Sequence, residues 1–392
     1  MNLTAEILVE ALAACTGGPA DGPAEIAALV RETQPAFAAT LFSAWQAEGA
    51  PLNPALRYEV AATAARVEYY RSVASRLMSA VGSGLSTIKG LEVAALYPDG
   101  FVRYMNDLDF IAPAQSDLWR AVSLLMQDGW DLDTATFSHL DGDLHVVVSF
   151  RRQPDDLYEL PYGIEIATYY TLGDQGGIPP IVRLPEQWRV PAIKNMLMLL
   201  HERYEQPFRA RDLVDASLLH DSLRGPEADT LHAAIVALGL TVEYSELVRL
   251  VAGTGLAPLA ELPGGRWPGA RERARRLARG ASFFARPVAG TGRHLQRRVL
   301  MGKTGRAESV AWAGVQRRLP VTTAVRAGLL AYGLPLDGPK PDVSAAVLCS
   351  RGPMTWADTP VGRFLLTIGD EVSEAAVEEL SAPALTTRGG TG

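Results

Sequence analysis

The sequence predicts an α+β fold, a small mixed sheet with helices on its face set in a largely helical chain. Three observations predict it. Apolar residues recur at helical spacing over residues 1–84 and again from 186 to about 260. Between 85 and 175 the pattern changes to short β-branched or alternating runs. Within that block "DGD" at 141–143 separates two such runs, the composition of a tight hairpin turn. At 392 residues the chain exceeds what one hydrophobic core usually serves, so several regions are expected. They are a helical region over 1–84, an α+β core over 85–175, a helical domain over 176–260, an Arg-rich segment over 261–336 and a strand–helix tail over 337–392.

Taken in order, "NLTAEILVEALAA" predicts a helix opening at Asn2 or Thr4, and "PAEIAALVRETQPAFAATLFSAWQAEG" a second after a Gly/Pro-rich break. "NPALRYEVAATAARVEYYRSVASRLMSAVGS" predicts a third and longer one, with Asn53 before Pro54 at its start and Gly82 and Gly84 at its stop. "LSTIKGLEVAALYP" reads as a short apolar entry, a Lys-Gly turn and a helix, and "NDLDFIAP" as a strand. "SDLWRAVSLLMQDGW" predicts a helix capped by Ser116 or Asp117 and stopped at Gly129. "TATFSHL" and "LHVVVSFRR" are the arms of the hairpin, and "GIEIATYY" is a further strand. "VPAIKNMLMLLHERY", "ARDLVDASLLHDSL" and "PEADTLHAAIVALG" each carry the 3.6-residue period. Beyond them come an Arg-rich stretch interrupted by Gly and Pro, a linker-like "GPKPD", the apolar "SAAVLCS", the strand "GRFLLTIG" and the helix "DEVSEAAVEELS".

Composition narrows the function classes. With 48% apolar and 21% charged residues the chain is an ordinary folded protein. Two cysteines, Cys15 and Cys349, exclude a disulfide framework and favour a reducing compartment. "LAAC" at 12–15 matches a lipoprotein cleavage box, but no basic residue precedes it, and Glu6 and Glu10 interrupt the apolar stretch such a leader needs. No run of 18 apolar residues exists, so no membrane span and a cytoplasmic location are expected. Charge is unevenly distributed. Between Arg266 and Arg326 fifteen basic residues face only Glu272 and Glu308, a local +13 in a chain whose net is −7. Such a segment, with Trp267, Phe283, Phe284 and Trp312 interleaved, suits nucleic acid, an acidic protein or peptide, or an acidic part of the same chain.

The chemistry concentrates at "NDLDF". In a strand, side chains alternate faces, so Asp107 and Asp109 share one face while Leu108 and Phe110 enter the core. Carboxylates so close repel each other unless a cation joins them, and hard oxygen donors suit Mg²⁺. The alternative is a solvated polar strand face. In "YGIEIATYY", Glu165 is again a single charge in an apolar strand, and convergence on the first pair would make three carboxylates, enough for two-metal phosphoryl chemistry. Lys89 and Gly90 stand at a turn before a helix, where glycine permits close approach and free N–H groups favour an anion. Other signals fail. "GKT" at 302–304 lacks the earlier glycine of a phosphate loop, since position 297 is Arg297, and His139 and His145 have no zinc-spaced companions.

The string "IKGLEVAALYPDGFVRYMNDLDFIAP" resembles the uncharacterised bacterial nucleotidyltransferases of the polymerase-beta-type superfamily, across about 26 residues in order and spacing. "IKNMLMLLHERYEQPFRARDLVDASLL" resembles the helical segment that follows the catalytic block there and in related abortive-infection and toxin-type nucleotidyltransferases. The resemblance spans about 85–260 and implies a polymerase-beta-type nucleotidyltransferase core. It implies Asp107, Asp109 and Glu165 as ligands of Mg²⁺ (or Mn²⁺), and Lys89, Gly90, Arg103 and Lys194 as contacts to the nucleotide. Arg211 would pair internally with Asp212 and Asp215; a buried ion pair fixing two helices is the other reading of those aspartates. This chain has Ala167 where the family has a His, and Glu rather than Asp at 165. The expected reaction moves a nucleoside monophosphate from an NTP, with ATP the expected donor, to a small-molecule, peptide or protein acceptor, releasing pyrophosphate. The alternatives are a degenerate nucleotidyltransferase acting as a binding module, and an enzyme of RNA or DNA ends using the Arg-rich segment.

Overall fold

A computed structural model of the chain describes residues 3–18, 22–155, 159–173, 180–203, 206–262, 274, 295–296, 298–299, 306–336, 340–352, 354–369, 377 and 380. It is mixed α/β. Helices α1 (Ala5–Thr16), α2 (Pro23–Thr33), α3 (Pro35–Ala47) and α4 (Pro54–Val81) come first. Thr4 caps α1 by accepting from the Ile7 N–H at 3.3 Å, and Asn53 caps α4 by accepting from Leu56 N–H at 3.0 Å. The second expected helix is two. Proline excludes helical geometry from the residue before it, so Gln34 breaks the run, and its buried Oε1 accepts the Ala210 N–H at 2.7 Å.

Strand β1 (Ser86–Ile88) leads into the short helix α5 (Gly90–Ala94), then β2 (Asp107–Ile111) and α6 (Gln115–Gln127). Neither Ser116 nor Asp117 caps α6, which starts one residue earlier. Gln115 instead bonds outward, donating to Leu144 O at 2.6 Å and accepting from Ala346 N–H at 2.7 Å. Strands β3 (Asp131–Leu140) and β4 (Asp143–Arg152) form the expected hairpin, with Asp141 (φ 51°) and Gly142 (φ 92°) both left-handed as a two-residue turn requires. Then come β5 (Tyr162–Ala167), α7 (Pro191–Glu202), α8 (Ala210–Asp221), α9 (Glu227–Leu238) and α10 (Thr241–Val251). Towards the C-terminus lie α11 (Arg306–Arg318), α12 (Val321–Arg326), β6 (Ala331–Leu336), β7 (Val347–Arg351), β8 (Met354–Thr359) and β9 (Gly362–Thr367). β1 pairs antiparallel with β2, and a further run of strands follows the order β4-β3-β6-β9-β8-β7.

The chain divides into two compact units, which cut across the five regions read from sequence. The first comprises Met1–Ile111, Tyr162–Ile164 and Tyr170–Ala285. Its core is helical, built on Leu8, Phe37, Phe42, Leu197, Leu213 and Tyr244, all fully buried. The second comprises Ala112–Pro161, Glu165–Tyr169 and Arg286–Gly392. In it the β3–β4 hairpin is extended by β6, antiparallel to β3, and then by β9, β8 and β7. The expected 85–175 core is thus divided, and the tail expected to stand apart supplies strands to a sheet. Most of the Arg-rich segment before Arg306, and nearly all of the helix expected at "DEVSEAAVEELS", lie outside the described residues.

Candidate functional site

Strand β2 has the alternation its sequence requires. Leu108 and Phe110 are each 1% exposed, Asp107 is exposed, and the Asp109 side chain retains 18% of its surface. Beside them in the same unit lies the start of β5. A Cβ on Gly163 would stand 3.4 Å from the Cβ of Asp107, so these positions are neighbours on one face. Glu165, the third expected carboxylate, belongs to the second unit. The Glu165 carboxylate is exposed and accepts from the Ser149 hydroxyl at 3.5 Å.

The entrance of β2 is fixed by α4, a contribution no local pattern announced. Tyr70 is buried, and its hydroxyl donates to Asn106 O at 2.7 Å while accepting from Gly163 N–H at 3.0 Å and Arg66 Nη1 at 3.2 Å. One oxygen therefore ties the residue before Asp107 to the residue beside it. Burial pushes this phenol up to about 12, against the pull of the Gly163 amide and Arg66, so it stays a donor at neutral pH. The Arg66 guanidinium lies 4.6 Å from the Tyr162 ring centre, where its charge meets the ring face.

On the other side stands the Lys-Gly turn. Lys89 has φ 56° and ψ −122°, a conformation that is strained for a residue with a Cβ. Its N–H donates to Asn195 Oδ1 at 2.6 Å. Its ammonium contacts the Glu202 carboxylate and lies 3.6 Å from Asp109 Oδ2. A Cβ at Gly90 would stand 2.5 Å from Met105 Cε, so that methyl would have to move aside. Helix α5 behind it has only five residues, so its dipole is small.

Two expected phosphate contacts are placed differently. Lys194 is 4% exposed, and its ammonium donates to Thr87 O at 2.8 Å and Glu92 Oε1 at 2.9 Å. Arg103 is 7% exposed and grips Asp215 through Nε and Nη2, at 2.9 Å and 2.7 Å. Both charges are taken up by internal carboxylates, and each locks the segment before a strand or helix onto α7 or α8. Arg103, rather than Arg211, is the partner of Asp215. Arg211 Nε stands 4.0 Å from Asp212 Oδ1 and is buried without a hydrogen-bond acceptor. Burial pushes the Asp212 carboxyl up to about 6, assisted by Asp215 and Glu202 and opposed by Arg211 and the Arg209 amide. Lys89, Arg103, Asn195, Glu202, Arg211 and Asp212 line a cleft of about 50 Å³ within the first unit.

Among the described residues, no group of three or more His, Cys, Asp or Glu is gathered to hold a metal ion. Asp107 and Asp109 offer two hard carboxylates on one accessible face. This suits Mg²⁺, which is usually held by one or two carboxylates and completes its shell with water and substrate phosphate. No described helix is long and apolar enough to cross a membrane. Comparison of the chain with protein-family models, with curated proteins and with solved structures returns no match.

Proposed function

We propose that the chain is a Mg²⁺-dependent nucleotidyltransferase, built on a polymerase-beta-type core, that moves a nucleoside monophosphate from an NTP to an acceptor and releases pyrophosphate. The observation that carries the reading is the pair Asp107 and Asp109 on the open face of a strand whose other face is fully buried, with a lysine ammonium 3.6 Å from one of them. In this reading Asp107 and Asp109 hold Mg²⁺ (or Mn²⁺), and Glu165 is the third carboxylate. The ion, when bound, supplies charge neutralisation for the phosphate oxygens. Lys89 and the Gly90 amide donate to the triphosphate. Arg103 and Lys194 act as scaffolding: Arg103 fixes the approach to β2, and Lys194 holds α5 through Glu92. Tyr70 sets the position of Asn106 and thereby of Asp107. Positioning and electrostatics carry such transfers, with little covalent work for the protein.

The test is calorimetric titration of each of the four NTPs, ATP first, with and without Mg²⁺. Binding that needs Mg²⁺ and is lost in Asp107→Asn/Asp109→Asn is the expected result, with Glu165→Gln alone weakening it. Mg²⁺-independent binding, or binding indifferent to both aspartates, refutes the reading. One observation favours a second reading, a degenerate binding module: Lys89 already supplies a positive charge to Asp109. The reading as an enzyme of nucleic-acid ends rests on the Arg-rich segment; RNA binding that does not weaken steeply with salt would remove it.

A further inference from the structure

Resting on the reading above, we infer that the Lys89 ammonium is the resident counter-ion of Asp109 and competes with the divalent cation for that carboxylate, so that metal uptake requires the lysine to swing off it. Three features of the turn support this. First, the ammonium is aimed. A lysine backbone at φ 56° is held there by the bond from its N–H to Asn195, and Asn195 is itself anchored by donating to Glu92 Oε2 at 2.7 Å. Second, the ammonium has two carboxylates within reach. It contacts Glu202 and lies 3.6 Å from Asp109, so leaving Asp109 does not strand a charge: Glu202 retains it after a short movement. Third, the balance of charge favours exchange. Asp107, Asp109 and Glu202 outnumber the one ammonium that touches two of them, which favours a divalent ion once that ammonium leaves Asp109.

The arrangement couples two events. Without a nucleotide the ammonium quenches the repulsion between neighbouring carboxylates and lowers their affinity for a free divalent ion. An arriving triphosphate offers the same ammonium a new set of anionic oxygens, which draws it from Asp109 as the ion is delivered. Metal and nucleotide therefore bind cooperatively, because one side chain opposes the first and favours the second.

The test uses the full chain without nucleotide and Mn²⁺ as the probe, read by calorimetry and by the loss of the free-ion electron paramagnetic resonance signal. Lys89→Met removes the ammonium; Lys89→Gly removes it while suiting the positive φ, and serves if the methionine variant folds poorly. The Lys89 side chain is a third exposed, so its effect is discounted for screening. Both variants are expected to bind Mn²⁺ roughly tenfold more tightly than wild type, about 1.4 kcal/mol. Asp109→Asn placed on either should abolish the gain. Both should also show a smaller Mn²⁺-dependent increase in NTP affinity than wild type, because only the direct bridge through the ion remains. Equal or weaker Mn²⁺ binding by the variants overturns the inference and leaves the nucleotidyltransferase reading intact. No Mn²⁺ binding by wild type or either variant overturns it as well, since removing the ammonium then uncovers no metal site, and the NTP titrations decide the reading separately.

Discussion

Removing Asp215 should be among the most damaging single changes in the first unit. The side chain of Asp215 is 3% exposed and that of Arg103 is 7% exposed. The guanidinium makes contacts of 2.9, 3.1 and 2.7 Å to the two carboxylate oxygens. Tyr97 donates its hydroxyl to Oδ1 at 2.7 Å, and burial holds that phenol protonated well above its ordinary range. Burial opposes the charge on Arg103, and Asp215 more than reverses it, so the guanidinium's pKa is raised. Asp215→Ala leaves a buried cation uncompensated and a buried hydroxyl without its acceptor. Breaking one side of such a pair destabilises by about 3–5 kcal/mol. For a unit of this size that lowers the melting temperature by roughly 6–20 °C. Replacing both partners, Arg103→Met with Asp215→Leu, removes the orphaned charge and should recover most of the loss. Thermal and urea unfolding followed by circular dichroism, on the two single variants and the double, measure the coupling. A loss under about 1 kcal/mol in Asp215→Ala, or a double variant as unstable as the sum of the singles, would refute the claim that this pair is buried and interdependent.

Three further outcomes follow from the same structure. Because burial raises the Asp212 carboxyl to about 6, the folded state holds a proton there that the unfolded chain has released; stability should fall as pH rises from about 4 to 6 and level off above, and Asp212→Asn should flatten that slope in pH-dependent urea titrations. Lys194→Met should destabilise the first unit by about 3–5 kcal/mol, with partial rescue by Glu92→Gln; a variant of native stability that has lost only NTP affinity would restore Lys194 to direct phosphate contact. Gly333→Ala in β6 would bring a Cβ to 2.8 Å from Phe137 Cε2 and 3.0 Å from Phe364 Cβ, and the overpacking should lower the second unit's stability by about 1–3 kcal/mol, seen as faster cleavage of the C-terminal strands in limited proteolysis.

The sequence by itself determined whatever depends on neighbours along the chain. The start of α4 at Asn53, the hairpin turn at Asp141 and Gly142 and the two faces of β2 follow from caps, left-handed turn residues and the two-residue period, each set within a few positions. The Lys-Gly turn was legible for the same reason, although its strained φ was not. Only the tertiary structure decided the partners. Arg103 and Asp215 are 112 positions apart, Lys194 and Glu92 are 102, and Tyr70 and Gly163 are 93. Spacing tells which face a side chain occupies but carries no information about what lies across from it, so charges that looked available for a phosphate proved to be locked in internal pairs. The placement of β6–β9 in a sheet was hidden likewise, because a strand's pattern specifies that one face be buried and leaves its neighbour to long-range pairing. Asn195, Glu202 and Tyr70 surround the acidic pair for that reason: distant segments must fold together before any of them has a role.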